Sequence, residues 1–576
     1  MQLPIVNELN TTREMIEVFK GYNHNLRSSD GEFYDMKNLT SNYYPVLSPR
    51  GARGTYATPK STSGLIAKDT LCYVDGANFV VGDEIVEMGL SDQPKSLISM
   101  GAYVIIMPDK MYINTQDLSD FGKIEASVET TAEVSFELCD LDGAEYDNPT
   151  ISDTAPTSPK NMAMWIDTSS TPHRLKQYSQ QSAVWTTVAT TYIKIASDGI
   201  GKAFEIYDSV DISGITNEQL SSLNANMIVW GKGDDYIVVV GMLDEVAKQT
   251  EPITIKRSMP TMDFIIESEN RLWGCRYGLN ANGDVVNEIY ASKLGDFKNW
   301  TCYMGLSTDS YYVSVGTDGA FTGAVTHLGY PIFFKENCMH KVYGNVPANY
   351  SVTTTTCRGV QKGSHKSLTI VNEVLYYKSR KAICAYDGSL PQEISYNLAD
   401  VPYNEAVAGY LGNKYYISMH NQEADEWNLF VYDTKTGLWH KEDNTRAEDF
   451  CSYRGELYFI ENGSIKTIGG SGTPDTEPVE WMAETGIIGT DSPDKKTISR
   501  INVRMSLDTD SIATIFIQYD SSGEWEYALS AQGSKLGSVS YPIKPKRCDH
   551  LRLRIEGQGE CKIYSITKTI MQGSDT

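Results

Sequence analysis

The feature that most constrains this chain is a two-residue alternation of apolar and polar side chains, recurring in short runs along most of its length. Successive side chains on an extended backbone point to opposite faces, so this alternation selects strands with one packed face and one wet face. Runs at 71–74, 79–81, 103–107, 264–266, 332–334, 374–377, 415–419 and 457–460 carry it. Many close on turn dipeptides, among them Asp75-Gly76, Asn282-Gly283, Asp387-Gly388 and Asn462-Gly463. Glycine and asparagine tolerate the positive φ that tight hairpins demand. Helical periodicity is almost absent, with one short helix candidate at 217–224. The chain reads as all-β.

The runs fall into units of strand, turn, aromatic-rich strand, turn, strand. Units start at Gly64, Ser96, Asp263, Gly323, Ser367, Ala406 and Ala447, the later ones spaced by about forty residues. That is the period of a four-stranded propeller blade, and seven units predict a β-propeller of about seven blades. The pattern breaks between 127 and 260, where turn-rich text precedes strands predicted at 164–167, 175–178 and 185–195. This segment reads as a β-rich domain inserted into a blade connection, a surface position that tolerates insertion. GGSGTPDTEP at 469–478 reads as a linker. Alternating runs at 501–505, 514–519, 525–530, 551–555 and 562–566 then predict a C-terminal β-sandwich. The expected organisation is an extended arm leading to the propeller over 1–55, first blades over 56–126, the insertion over 127–260, remaining blades over 261–470 and the sandwich over 471–576.

With 50 Lys+Arg against 74 Asp+Glu the net charge is −24, which repels phosphate and argues against a sequence-reading nucleic-acid binder. It leaves room for a wall past which DNA slides without being held. The acidity lies upstream: 38 basic against 63 acidic residues over 1–490, but 12 against 11 from Asp491 onward. Ten scattered cysteines form no CxxC and no close pair, so neither zinc nor a disulfide framework is signalled, and buried reduced thiols are expected. MQLPIVNELNTTRE has no basic-then-apolar leader, and no run approaches the roughly 18 apolar residues of a membrane span. The expectation is a soluble chain made in a cytoplasm, with no membrane anchor.

Candidate chemistry is sparse. The glycine-rich text from Gly278 to Asp284 lacks the strand–loop–helix context of a phosphate cradle and reads as a hairpin loop. Eight histidines include no HExxH and no i,i+4 pair, and no GxSxG marks a nucleophile. Adjacent carboxylates such as Asp83 with Glu84 and Asp234 with Asp235 sit in turn text, whereas a glycosidase needs two facing each other across a cleft. No catalytic residue, cofactor or metal is predicted. The basic C-terminal stretch stands out: Lys544, Lys546 and Arg547, then Arg552 and Arg554 alternating with Leu551, Leu553 and Ile555 so that both arginines project from one strand face. These five, with Trp165 and Trp185, are the interface candidates, the basic face being set to meet an acidic neighbouring subunit.

Several stretches resemble a known group. FKGYNHNLRSSDGEFYDMKNLTSNYYPVLSPRGARG (19–54) resembles the opening of phage virion proteins described as packaged-DNA stabilisation, tail hub or nozzle proteins. RLWGCRYG with NEIYASKLGDFKNW (271–300) and IFFKENCMHKVYG (332–344) are similar to the same group. MWIDTSSTPHRLKQY (164–178) resembles short modules of phage tail and fibre proteins. WMAETGIIGTDSPDKKTISRINVRM and KRCDHLRLRIEGQGECKIYSITK resemble terminal domains of tail proteins from phages of Gram-positive gut bacteria. The resemblance implies a non-enzymatic virion subunit that assembles with copies of itself into a ring, as a hexamer, below the portal. The ring would line or close the channel for passing double-stranded DNA and connect portal and adaptor to distal tail or fibre proteins. The alternatives are a fibre or receptor-binding propeller that recognises host glycan through Trp165, Trp185 and Tyr192, and a propeller glycosidase.

Overall fold

The computed structural model describes residues 11–280, 282–489, 497–533 and 537–571. The leader reading of residues 1–10, and the part of the terminal resemblance at 490–496, lie outside them.

Seven antiparallel sheets form the propeller, six of four strands and one of five. Blade 1 runs Thr62–Ala67, Leu71–Asp75, Asn78–Val81, Glu84–Glu87, and blade 2 Ser96–Met100, Tyr103–Met107, Met111–Asn114, Phe121–Lys123. Blades 3 to 6 begin with the inner strands Phe264–Ser268, Gly323–His327, Thr369–Val371 and Tyr403–Leu411. Blade 7 takes Asp449–Tyr453, Glu456–Glu461 and Ser464–Thr467 from the end of the repeat region, and its fourth strand is Gly54–Ala57 from far upstream. The turn dipeptides act as expected in blades 1 and 7: Asp75 pairs Asn78 around Gly76, and Glu461 pairs Ser464 around Gly463, both glycines at positive φ.

Apolar residues on facing blades build a circle of cores. Val74 and Phe79 pack with Val104 and Ile106 between blades 1 and 2. Trp273 and Ile289 pack with Phe333 between blades 3 and 4, and Ile332 and Phe334 with Leu375 and Tyr377 between 4 and 5. Tyr416 and Leu429 pack with Leu457 and Phe459 between 6 and 7. The circle closes: Leu65 and Leu71 of blade 1 share a core with Tyr458, Ile460 and Ile465 of blade 7, Tyr453 Oη donates to Asp69 O at 2.7 Å, and Thr62 Oγ1 to Gly463 O at 2.7 Å. Ring closure pairs or covers the sheet edges that an open array would expose.

The expected extended arm over 1–55 is not what the structure contains. Thr11–Ile16 pairs antiparallel with Cys561–Met571, and Glu32–Lys37 pairs with Glu480–Thr485. Both extend the two sheets of the C-terminal sandwich, whose core joins Phe19, Phe33 and Met36 to Val503, Ile515 and Leu553. The physical reason is burial: Phe33 and Met36 are 1% exposed, and an arm in solvent would leave that apolar surface wet. Downstream of it, Gly54–Ala57 closes the propeller, so residues 11–57 tie the sandwich to the ring.

The insertion builds three sheets, two of them over one core that includes Phe136, Ile193, Ile195, Val210 and Ile237. The run predicted as one strand at 185–195 is two, Val184–Thr187 and Tyr192–Ala196, lying in different sheets. The helix candidate is a short 3₁₀ helix, Glu218–Leu223, capped by the Asn217 side chain accepting from Gln219 N. Asp208 anchors the domain to blade 3. Its carboxylate pairs with Arg257 and accepts from Asn299 Nδ2 at 2.9 Å.

Candidate axial site at the propeller mouth

Each blade connection delivers the chain to the start of the next inner strand, so the connections converge around the axis on one face. Between blades 5, 6, 7 and 1 they enclose a cleft of about 470 Å³. Its wall carries Asp92, Glu405, Glu448 and Asp449, two cations, Lys366 and Arg446, and one indole, Trp427. Pockets of some 300–1,000 Å³ with a few convergent polar groups are the usual form of a small-ligand site.

Local structure fixes each group. Glu405 lies in an irregularity of the blade 6 inner strand, where register shifts between Asn404 and Val407, and it holds a φ of 48°. A non-glycine residue in the left-handed region stores strain, and bulges re-aim side chains at sheet rims. The next residue, Ala406, is pinned by its N–H donating to Ser364 Oγ at 3.1 Å. Lys366 bridges blades 5 and 7, its Nζ 3.2 Å from Asp449 Oδ2 and donating to Glu448 O at 3.0 Å. The Arg446 guanidinium lies over the Trp427 ring, 5.1 Å from its centroid, with the His420 ring 5.4 Å away. Asp92 rides on a loop held by buried Lys95, whose Nζ meets Asp109 at 2.7 Å and Ser91 O at 2.6 Å. Burial works against the charge on Asp109, but Lys95 and Ser91 outweigh it and hold the carboxyl below its ordinary value.

The mouth therefore offers a Lys366–Asp449 salt bridge, exposed acceptors on Glu405, Glu448 and Asp92, and the half-buried Trp427 indole, one face of which lies under Arg446. Carboxylates accept hydroxyl hydrogen bonds, and an indole stacks on the C–H face of a ring, which together suit a polyhydroxylated ligand. No group of three or more His, Cys, Asp or Glu side chains set to hold a metal occurs among the described residues.

The residues singled out from sequence lie elsewhere. Arg552 and Arg554 do share one face, with Leu551, Leu553 and Ile555 buried beneath. Their charge is engaged within the subunit. Arg552 Nη1 lies 3.2 Å from Glu484 Oε1, Arg554 Nη2 2.8 Å from Glu484 Oε2, and the two guanidinia stack over Tyr34 and Trp525. Lys546 pairs with Glu526, while Lys544 and Arg547 are exposed nearby. Trp165 and Trp185 meet edge to face at 5.4 Å on the small sheet at 150–187 of the insertion, Trp165 buried and donating Nε1–H to Ser152 O. Tyr192 is on a different sheet, near Trp230. Asp83 with Glu84 lies at the outer edge of blade 1, and Asp235 accepts from Gly199 N at 2.8 Å. The text from Gly278 to Asp284 ends the strand Arg271–Leu279 and leads through a hairpin turn, with Asn280 N donating to Asp284 O at 2.9 Å, into Val285–Ala291. The mouth carboxylates were missed because they come from separate units; the available signal was acidic residues beside the unit starts at Ala406 and Ala447.

No family model matches the chain, and neither does any curated protein. Among solved structures it is similar to an exo-β-1,3-galactanase from Phanerochaete chrysosporium, at 8% identity over 53% of this chain and 94% of that one, with a TM-score of 0.20. An arabinoxylan arabinofuranohydrolase of glycoside hydrolase family 43 from Bacillus subtilis is 8% identical over 52% and 94%, TM-score 0.16. An acylaminoacyl peptidase is 11% identical over 51% and 50%, TM-score 0.23. These neighbours are enzymes, mostly glycoside hydrolases, and none is a phage tail protein, which runs counter to the expected tail-ring subunit around a DNA channel and to the expected non-enzymatic chain. At these TM-scores they give this chain no substrate and no reaction of its own.

Proposed function

We propose that this chain is a carbohydrate-directed propeller whose saccharide site is the axial mouth. The observation that carries the reading is the convergence on one 470 Å³ cleft of Asp92, Glu405, Glu448 and Asp449 with Trp427, drawn from four separate blade connections and strands. Sugar hydroxyls bond the carboxylates of Glu405 and Asp449, Lys366 holds Asp449 in place, and a pyranose or furanose face packs on Trp427. Glu405, on its strained bulge, reaches the ligand without rearrangement of blade 6.

The test is calorimetric titration with a panel of neutral hexose, pentose and N-acetylhexosamine oligosaccharides, with release of reducing ends followed in parallel. The reading expects saturable binding of at least one oligosaccharide by the wild type. Trp427→Ala should weaken it about tenfold, the worth of one stacked ring at roughly 1.4 kcal/mol. If reducing ends appear, Glu405→Gln should abolish their release while retaining binding. Binding to no member of the panel, or binding indifferent to both substitutions, refutes the reading.

A further inference from the structure

A second cavity, of about 520 Å³, lies between the 40–51 segment and blades 6 and 7. Its wall includes Thr40, Arg50, Lys414, Asp433, Lys435 and Thr436, with Glu442 behind them. Its charges are not evenly matched. Glu442 is held by Arg53 Nη2 at 2.8 Å and Arg50 Nε at 3.7 Å, and Asp443 answers the same two arginines at 2.9 and 3.3 Å, so that pair of cations is matched. Asp433 accepts from the Ser41 hydroxyl and from the N–H of Lys435 and Thr436. These carboxylates are thus already served. Lys414 is served differently: its Nζ donates to Thr40 Oγ1 and Asn42 Oδ1, each at 2.6 Å and each neutral. Lys435 is exposed at the rim. The Thr436 hydroxyl is buried without a hydrogen-bond partner, a donor whose isolation costs free energy until a ligand meets it. Burial pushes the Lys414 ammonium below its ordinary value, with Glu442 and Asp433 only opposing, so an added negative group would relieve it. In a chain of net charge −24, this is a place where cations outnumber free acceptors.

We propose that this cavity binds a phosphate or carboxylate oxyanion carried by a molecule of monosaccharide size, held by Lys414 and Lys435 with the Thr436 hydroxyl as a further donor. The cavity volume matches such a ligand, and the oxyanion supplies the charge and acceptors that these groups lack. The site is separate from the axial mouth and does not depend on the saccharide reading there.

Isothermal titration with inorganic phosphate, a hexose 1-phosphate and a hexuronate, each against chloride at matched ionic strength, tests it. The wild type should show saturable binding of inorganic phosphate. Lys414→Met and Lys435→Ala should each weaken it about tenfold; Lys435 is exposed, so its variant folds whatever Lys414→Met does. A hexose phosphate binding more tightly than inorganic phosphate identifies a phosphate ester as the source, and a tighter hexuronate identifies a sugar acid. Saturable heat from none of the three, or affinities unchanged in Lys435→Ala, overturns the proposal.

Discussion

Replacing Arg53 with methionine should open the propeller at one seam. Arg53 is 5% exposed and directly precedes the closing strand Gly54–Ala57. Its guanidinium meets Glu442 at 2.8 Å and Asp443 at 2.9 Å, and Thr445 Oγ1 at 2.6 Å. Arg53→Met leaves the Glu442 side chain, 3% exposed, with only the longer Arg50 contact. Removing one partner of a buried pair costs about 3–5 kcal/mol, because the other charge stays buried and uncompensated. That energy acts on the strand that joins blade 7 to the N-terminal segment, so it lowers the free energy of local opening there. At about 1.4 kcal/mol per decade, opening becomes roughly one hundred to several thousand times more frequent. Cys451 of blade 7 lies against the core at this seam, and burial raises its thiol to about 12. Its alkylation, followed by peptide mass spectrometry under native conditions, should accelerate by that factor, while Cys302, within blade 3, keeps its rate. An unchanged rate at Cys451, or equal acceleration at Cys302, would refute the closure argument.

Three further outcomes follow from buried charge. His440 and His340 are pushed down to about 3 and about 4, mainly by burial, with Lys414 and Lys335 adding to it. Their folded values lie below the unfolded value near 6.5, so stability is full above pH 6.5 and falls on acidification. By pH 5 each should have cost about 2 kcal/mol, measurable as a drop in urea midpoint between pH 7 and 5 that His340→Gln reduces. Lys378, donating to Gln361 Oε1 and Ser379 O, is pushed by burial to about 8. Its folded value also lies below the unfolded one, so the penalty is fully present below pH 8 and fades toward pH 10. Lys378→Met should therefore gain more stability at pH 7 than at pH 9.5 in chemical denaturation. Arg271, 1% exposed, donates to Ser292 O and Ser307 O at 2.8 Å and to Asp309 O. Arg271→Met strands those carbonyls at about 1–3 kcal/mol each, and a loss under 1 kcal/mol in thermal unfolding would contradict the role assigned to it.

What the sequence made legible is what local rules govern. Period-two alternation and turn dipeptides marked all seven blade units, because a blade strand packs on its neighbours with side chains of known direction. The blade 7 closing strand was not legible, since Gly54–Ala57 pairs across some 400 residues with Ser464–Thr467 and carries no mark of its partner. The same holds for Glu480–Thr485: unread as a strand, it hid Glu484, which pairs with both Arg552 and Arg554. The mouth was illegible for a related reason. Adjacent acids such as Asp83 with Glu84 draw the eye, but strand geometry sends them to a turn, whereas Glu405 and Asp449 meet one cleft only because successive inner strands start around a common axis.

The central claim is the saccharide site on that axis. The most direct measurement is a crystal structure of the protein with the tightest-binding oligosaccharide of the panel. The account predicts a sugar ring against Trp427 with hydroxyls on Glu405 and Asp449. A sugar seated elsewhere on the chain, with the mouth unchanged, would contradict it.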